Sequence, residues 1–264
     1  MIFYKYHGAG NDFVLIDAFN QRVQLNVEEI KRICSRHFGV GADGLITIEH
    51  DESADFNMVY YNADGHESTM CGNGGRCAVK YASSVGIFSG AACTFRTADG
   101  LHNAHLLNDG LISLQLNIEE GFDLYGQAYL IDVGSPHYVR FKHNISRLNV
   151  NVEGKMVRNS PKFNSEGINV NFVEEFSDRL FVRTYERGVE SETLSCGTGV
   201  VAAALGWFYK ERKRKGQRVC IDTLGGQLTV KIECDETGKI QSAWLIGPVE
   251  EVFIGEIDVV NATV

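Results

Sequence analysis

The sequence predicts an α+β fold in which two similar domains arise by internal duplication, and three observations predict it. Segments of the second half repeat those of the first at a nearly fixed offset of about 125 residues. Most segments are short, strand-like and bounded by Gly, Asn or Asp. One helical stretch, Val200 to Phe208, is apolar nearly all round, which suits a helix buried inside a curved, mostly antiparallel sheet or barrel. The expected architecture is two such domains, each around a central helix, with the active site in the cleft between them.

The repeat rests on ordered matches. Glu67-Ser68-Thr69-Met70-Cys71-Gly72-Asn73-Gly74 aligns with Glu192-Thr193-Leu194-Ser195-Cys196-Gly197-Thr198-Gly199. Upstream, Asn11-Asp12-Phe13-Val14 sits opposite Pro136-His137-Tyr138-Val139, and Phe56 to Tyr60 opposite Phe181 to Tyr185. Downstream, Thr97-Ala98-Asp99-Gly100 faces Thr223-Leu224-Gly225-Gly226. Two copies are too few for a solenoid, so two domains are expected: 1–119 and 120–248, with the C-terminal strand 249–264 a candidate to return to the first.

In chain order, strands are expected at Phe13 to Asp17, Leu45 to Ile48, Phe56 to Tyr61, Cys93 to Thr97 and Leu111 to Leu116. A helix is expected over Val27 to Phe38, with Val27, Ile30, Ile33 and Cys34 at helical spacing and Asn26 as N-cap. Further helices follow the Cys-Gly-x-Gly elements, from Gly75 to Val85 and from Gly199 to Tyr209.

Composition narrows the function. The chain has 264 residues, 22% charged and 44% hydrophobic, with a net charge of −9. That balance argues against a nucleic-acid partner, which requires a basic face. The basic cluster Lys210, Arg212 to Lys215 and Arg218 reads as a solvated helix end. No apolar run approaches a membrane span and no secretory segment opens the chain. Seven cysteines, an odd number, fit a reducing cytoplasm better than a disulfide framework.

Cys71 and Cys196 each stand just before glycines and the start of a helix. Glycine lets backbone approach a ligand, and a helix N-terminus offers N–H groups and positive potential to a carboxylate or thiolate. Two such loops suit inversion of a stereocentre, which needs a base on one face of a carbon and an acid on the other. Cys34, Cys77, Cys93 and Cys220 read as packing residues. No zinc spacing is present, no lysine motif announces a pyridoxal aldimine, and no cofactor or metal is expected.

With those residues in view, the chain resembles the diaminopimelate epimerases nearly end to end. The resemblance is carried by His7-Gly8-Ala9-Gly10-Asn11-Asp12-Phe13, Asn62-Ala63-Asp64-Gly65, Met70 to Cys77, Tyr185-Glu186-Arg187-Gly188 and Cys196-Gly197-Thr198-Gly199. It implies epimerisation of LL-2,6-diaminopimelate to the meso form, in lysine and peptidoglycan precursor biosynthesis, without pyridoxal phosphate. It implies Cys71 and Cys196 as the acid–base pair, with His137 and Glu186 beside the thiols and Glu186 near the substrate ammonium. Gly72, Asn73, Gly197 and Thr198 are implied to hold the reacting carboxylate by their backbone, and Asn11, Asn62, Asn169 and Arg187 the distal end. A homodimer is also implied, with Phe253 near a family dimer contact.

Two departures stand out. Gly134-Ser135-Pro136-His137 has Ser where the family usually has Asn, and Asp43 is followed by Gly44 where some members carry Gln. Simpler readings coexist: Asn11 and Asn62 as turn residues, Glu186-Arg187 as a surface ion pair, His137 as a turn cap. Rival functions are a proline or hydroxyproline racemase, a phenazine-pathway-type isomerase, a dithiol redox protein and an amino-acid binding protein.

Overall fold

The computed structural model describes residues 1–19, 23–118 and 121–258. The chain divides into two compact units, Met1–Leu114 with Pro248–Val264, and Gln115–Gly247. The boundary expected at residues 119 and 120 falls outside the described residues.

The first unit runs β1 (Ile2–Gly8), β2 (Asn11–Ala18), α1 (Val27–Cys34), β3 (Gly44–Glu49), β4 (Phe56–Asn62), β5 (Glu67–Ser68), α2 (Gly72–Ser84), β6 (Ala92–Thr97), β7 (Gly100–Leu106) and the start of β8 (Ile112–Leu116), whose last two residues lie past the division at Leu114. The second unit begins with β9 (Asp123–Tyr125). It continues with β10 (Ala128–Asp132), β11 (Pro136–Phe141), α3 (Val150–Arg158), β12 (Asn169–Glu175), β13 (Leu180–Glu186), β14 (Ser191–Thr193), α4 (Gly197–Lys210), β15 (Gln217–Thr223), β16 (Gly226–Cys234) and β17 (Ile240–Gly247). The last strand, β18 (Glu250–Glu256), is antiparallel to β1 in the first unit.

The pairing order is the same in both units. β1–β2 is antiparallel, β2–β3 parallel, β3–β4 antiparallel and β4–β6 parallel, then β6–β7 and β7–β8 are antiparallel. In the second unit β10–β11, β11–β12, β12–β13, β13–β15, β15–β16 and β16–β17 repeat that series, parallel pairs included. Each series gains one further antiparallel strand on its first member, β18 on β1 and β9 on β10. The duplication read from the sequence is therefore a duplication of topology.

Burial explains the apolar runs. Phe13, Val14, Leu15 and Ile16 are all buried because β2 is covered on both faces. Val14 and Ile16 join Ile30, Ile33 and Cys34 of α1 in one cluster, and α2 packs against β2 as well. Val170 and Phe172 of β12 do the same against Val150 of α3, with α4 also against β12. α4 contacts β10 to β13 and β15 to β17, so nearly every residue from Val200 to Phe208 must be apolar. No helix among the described residues is long and apolar enough to cross a membrane.

Three helix boundaries and one cysteine differ from expectation. α1 stops at Cys34 rather than Phe38, because the returning backbone N–H groups of Val40 and Gly41 both take the Ile33 carbonyl. Phe38 is left exposed. α2 and α4 begin earlier than expected, at Gly72 and Gly197. The Gly75 N–H reaches the Cys71 carbonyl at 2.7 Å and the Val200 N–H that of Cys196 at 2.9 Å. Cys34, Cys77 and Cys93 are buried as expected of packing residues, but Cys220 is exposed on β15.

Candidate active site

Cys71 and Cys196 are the N-cap residues of α2 and α4, both with extended backbone (φ −102°, ψ 121° and φ −116°, ψ 113°) and neither making a side-chain cap hydrogen bond. First-turn N–H groups have no acceptor within a helix. Each thiol thus stands where backbone donors and the helix dipole favour negative charge.

In the first unit Asn11, at the start of β2, holds its Oδ1 3.6 Å from the Cys71 sulfur. Asn73 Nδ2 donates to the same oxygen at 3.2 Å. Asn11 Nδ2 donates to Asp43 Oδ2 at 2.7 Å, and Arg76 Nη2 donates to Asn73 Oδ1 at 2.9 Å. The carboxylate only accepts and the guanidinium only donates, so the two charged ends fix both amide orientations. Asp43 is itself held by Arg36 at 2.7 Å. Asn11 therefore lies against the thiol of its own unit. Asn62 pairs with Gly44 across β3–β4 and opens the turn closed by Gly65. Tyr60 packs over Gly44, where a Cβ would stand 2.5 Å from its ring.

In the second unit the Cys196 sulfur is 3.5 Å from Thr198 Oγ1. Gly199 lies so close that a Cβ there would stand 3.3 Å from that sulfur and 2.3 Å from Asn171 Oδ1. Asn171 accepts from Thr184 Oγ1 at 2.9 Å and its Nδ2 is 3.0 Å from His137 Nδ1. With its oxygen taken by Thr184, Asn171 donates, so His137 Nδ1 is the acceptor and its proton sits on Nε2, 3.1 Å from Ser135 Oγ. His137 is fully buried; burial first, and the Arg187 charge second, pull it down to about 3. It is a neutral imidazole at any ordinary pH.

The remaining residues gather at the ends of β12 and β13. Asn169 Oδ1 accepts the Arg187 backbone N–H at 2.9 Å, and its Nδ2 lies 3.4 Å from both Ser135 Oγ and the Pro136 carbonyl. Arg187 Nη1 donates to the Glu166 carbonyl at 3.2 Å. Glu186 Oε2 accepts from Thr193 Oγ1 at 2.9 Å. Ser135, despite being shorter than Asn, is thus a shared partner of His137 and Asn169. Among the described residues no group of three or more His, Cys, Asp or Glu side chains is assembled as a metal site.

Sequence reasoning missed Asn171, Thr184 and Arg76. Asn171 shares a strand face with Asn169 at the two-residue period, which was the available signal. Arg76 is the one charged residue in a run of α2 otherwise buried as glycine, Asn73 and apolar side chains, and that anomaly was its signal.

The family model described as diaminopimelate epimerase matches residues 3–116 and 129–251. A Flavobacterium psychrophilum protein named diaminopimelate epimerase is 44% identical over 258 residues, covering 96% of this chain and 98% of that one. Its namesake from Chlorobaculum tepidum is 39% identical over 257 residues, with 95% and 98% coverage. Among solved structures, the Bacillus anthracis phenazine biosynthesis protein of the PhzF family is similar with a TM-score of 0.74 at 16% identity, covering 97% of this chain and 98% of that one. A hydroxyproline epimerase from Agrobacterium vitis gives 0.72 at 15% identity, covering 97% and 91%. At such identities these two likenesses concern the fold.

Proposed function

The chain belongs to the diaminopimelate epimerase family and is an isomerase acting on diaminopimelate in lysine biosynthesis, and we propose that Cys71 and Cys196 perform the proton transfer as one acid and one base. The observation that carries this reading is the placement of both thiols as N-caps of equivalent helices. One thiolate removes the α-proton of the LL isomer while the other thiol delivers a proton to the opposite face, giving the meso form. The reaction requires both half-sites to meet opposite faces of one carbon. No pyridoxal phosphate takes part in this scheme.

The α-carboxylate is taken to rest on the backbone of Gly72, Asn73, Gly197 and Thr198, where two helix N-termini stabilise charge developing on deprotonation. Asn11, Asn62, Asn169 and Arg187 are assigned the distal end of the diamino dicarboxylate, with Asn11 also touching the Cys71 thiol. Glu186 is assigned the ammonium. His137, neutral and bonded on both nitrogens, is assigned to shaping the wall beside Cys196 rather than to proton transfer.

A homodimer is proposed through β18, whose Val252, Phe253 and Ile254 are exposed on an edge strand. Seven free thiols support a reducing, cytoplasmic setting. The test of the reaction is turnover of LL-diaminopimelate in D2O. One deuteron should enter the product α-carbon per inversion. Product without α-deuterium, or no product, would refute the reading.

A further inference from the structure

Among the described residues Arg76 heads the large, fully buried side chains. Its Nη2 donates to Asn73 Oδ1 at 2.9 Å and its Nη1 to the Gly72 carbonyl at 3.4 Å, while its Nε has no partner. Gly8 makes room for it: a Cβ there would stand 3.1 Å from Nη2. Among the described residues it forms no ion pair with a carboxylate. Burial pulls it only to about 10, so it stays protonated at neutral pH. An unpaired buried cation is costly, and proteins keep one where an anion is to be matched.

The groups able to supply that anion are few. Among the described residues, the acidic groups that act on its charge are the thiols of Cys77 and Cys71. Cys77 is fully buried, and burial pushes its thiol so far up that it stays neutral. Charged groups on the strands against α2 are otherwise engaged. On β1 and β2, Lys5 pairs with Asp12, which also pairs with Arg36; His7 pairs with Glu250; Tyr6 bonds Glu251; Asp17 accepts from Tyr81. On β3 Glu49 accepts from Thr47; on β7 His102 meets Thr97 and Asp99, and His105 is exposed; β4 offers the phenols of Tyr60 and Tyr61.

We propose that Arg76 is a positioning residue that holds Asn73 and Asn11 against the Cys71 sulfur and supplies the buried charge that poises Cys71 between thiol and thiolate. The Asn11 oxygen favours the protonated thiol, since it can only accept. Arg76 opposes it by favouring the thiolate. A residue that must alternately give and take a proton needs that balance. The second unit solves the problem differently, for Val201 stands at the equivalent of Arg76 and a hydroxyl lies beside Cys196. The proposal rests on Cys71 being the reacting thiol of its unit.

The experiment follows iodoacetamide alkylation of the intact protein over pH about 6 to 10, reading Cys71 and Cys196 separately by peptide mass spectrometry. Arg76→Gln keeps a donor for Asn73 and removes the charge. Its Cys71 midpoint should rise by about one pH unit, a tenfold slower reaction at neutral pH, with Cys196 unmoved. Arg76→Lys keeps the charge and loses the fork; its Cys71 midpoint should stay near wild type while kcat falls. An unshifted Cys71 in Arg76→Gln, or wild-type kcat in Arg76→Lys, would overturn the proposal. Should Arg76→Gln not fold, Arg76→Lys decides by the same two readings; failure of both to fold would make Arg76 a packing residue and also overturn it. The Cys71 midpoint is read on the thiol itself and so stands apart from whether the protein epimerises diaminopimelate; only the kcat reading rests on that activity.

Discussion

His137 shows how burial changes what a residue can do. Histidine near a thiol suggests a titrating base, yet this one is sealed and bonded at both nitrogens. Its folded value of about 3 lies below its ordinary 6.5. The unfolded chain therefore binds a proton below about 6.5 that the native protein refuses, and stability falls as pH falls through that window. At pH 5 the loss is about 2 kcal/mol. Chemical denaturation of wild type and His137→Asn should show this pH-dependent difference between pH about 7 and about 5; parallel pH profiles would contradict it. Gly199 makes a second point at this scale. A methyl there meets Asn171 Oδ1 at 2.3 Å, and Asn171 is pinned by Thr184 and His137. Gly199→Ala should cost about 1–3 kcal/mol and at least roughly tenfold in kcat. Gly74→Ala meets the flexible ends of Ile46 and Met58 at 3.1 and 3.4 Å and makes only an ordinary contact with the Cys71 Cβ at 3.5 Å, so it should stay within about threefold. Steady-state kinetics and thermal melts compare the two; equal losses would refute the asymmetry.

At the scale of elements, much was legible and the misses have reasons. Asn26 was read as the N-cap of α1, and it forms a full capping box with Glu29 at 3.0 and 2.8 Å. Asn26→Ala should lower stability by about 1 kcal/mol in denaturant melts with little change in kcat; no loss of stability would show the cap to be idle. The strands of β2, β3 and β4 were recognisable because their apolar runs are bounded by Gly, Asn and Asp. The end of α1 was not, because it is set by Val40 and Gly41 returning to Ile33, a contact outside any local pattern. The starts of α2 and α4 were placed too late because glycines weaken a helical pattern, although the Cys carbonyls already accept helical hydrogen bonds. The site was visible where residues form motifs, as with Cys71 and Cys196. It was invisible where a side chain acts through another, as Arg76 does through Asn73 and Thr184 through Asn171.

The whole molecule is one topology used twice and furnished unequally. Each unit brings one thiol on the N-cap of its central helix, but the supporting polar groups do not correspond. Arg76 stands opposite Val201, Asp12 opposite His137, and Ile46 opposite Asn171 in the repeat. Duplication thus supplies two thiols at equivalent helix starts, and divergence gives each its own surroundings. Two thiols serving opposite faces imply that each variant lacking one keeps the other's stereochemistry. The measurement is α-deuterium exchange in D2O from the LL and meso isomers, for Cys71→Ser and Cys196→Ser separately. A serine hydroxyl is a far poorer base than a thiolate, so epimerisation should stop in both. Residual exchange should then favour opposite stereocentres in the two variants. The same preference in both, or near-normal epimerisation by either, would contradict a two-thiol mechanism.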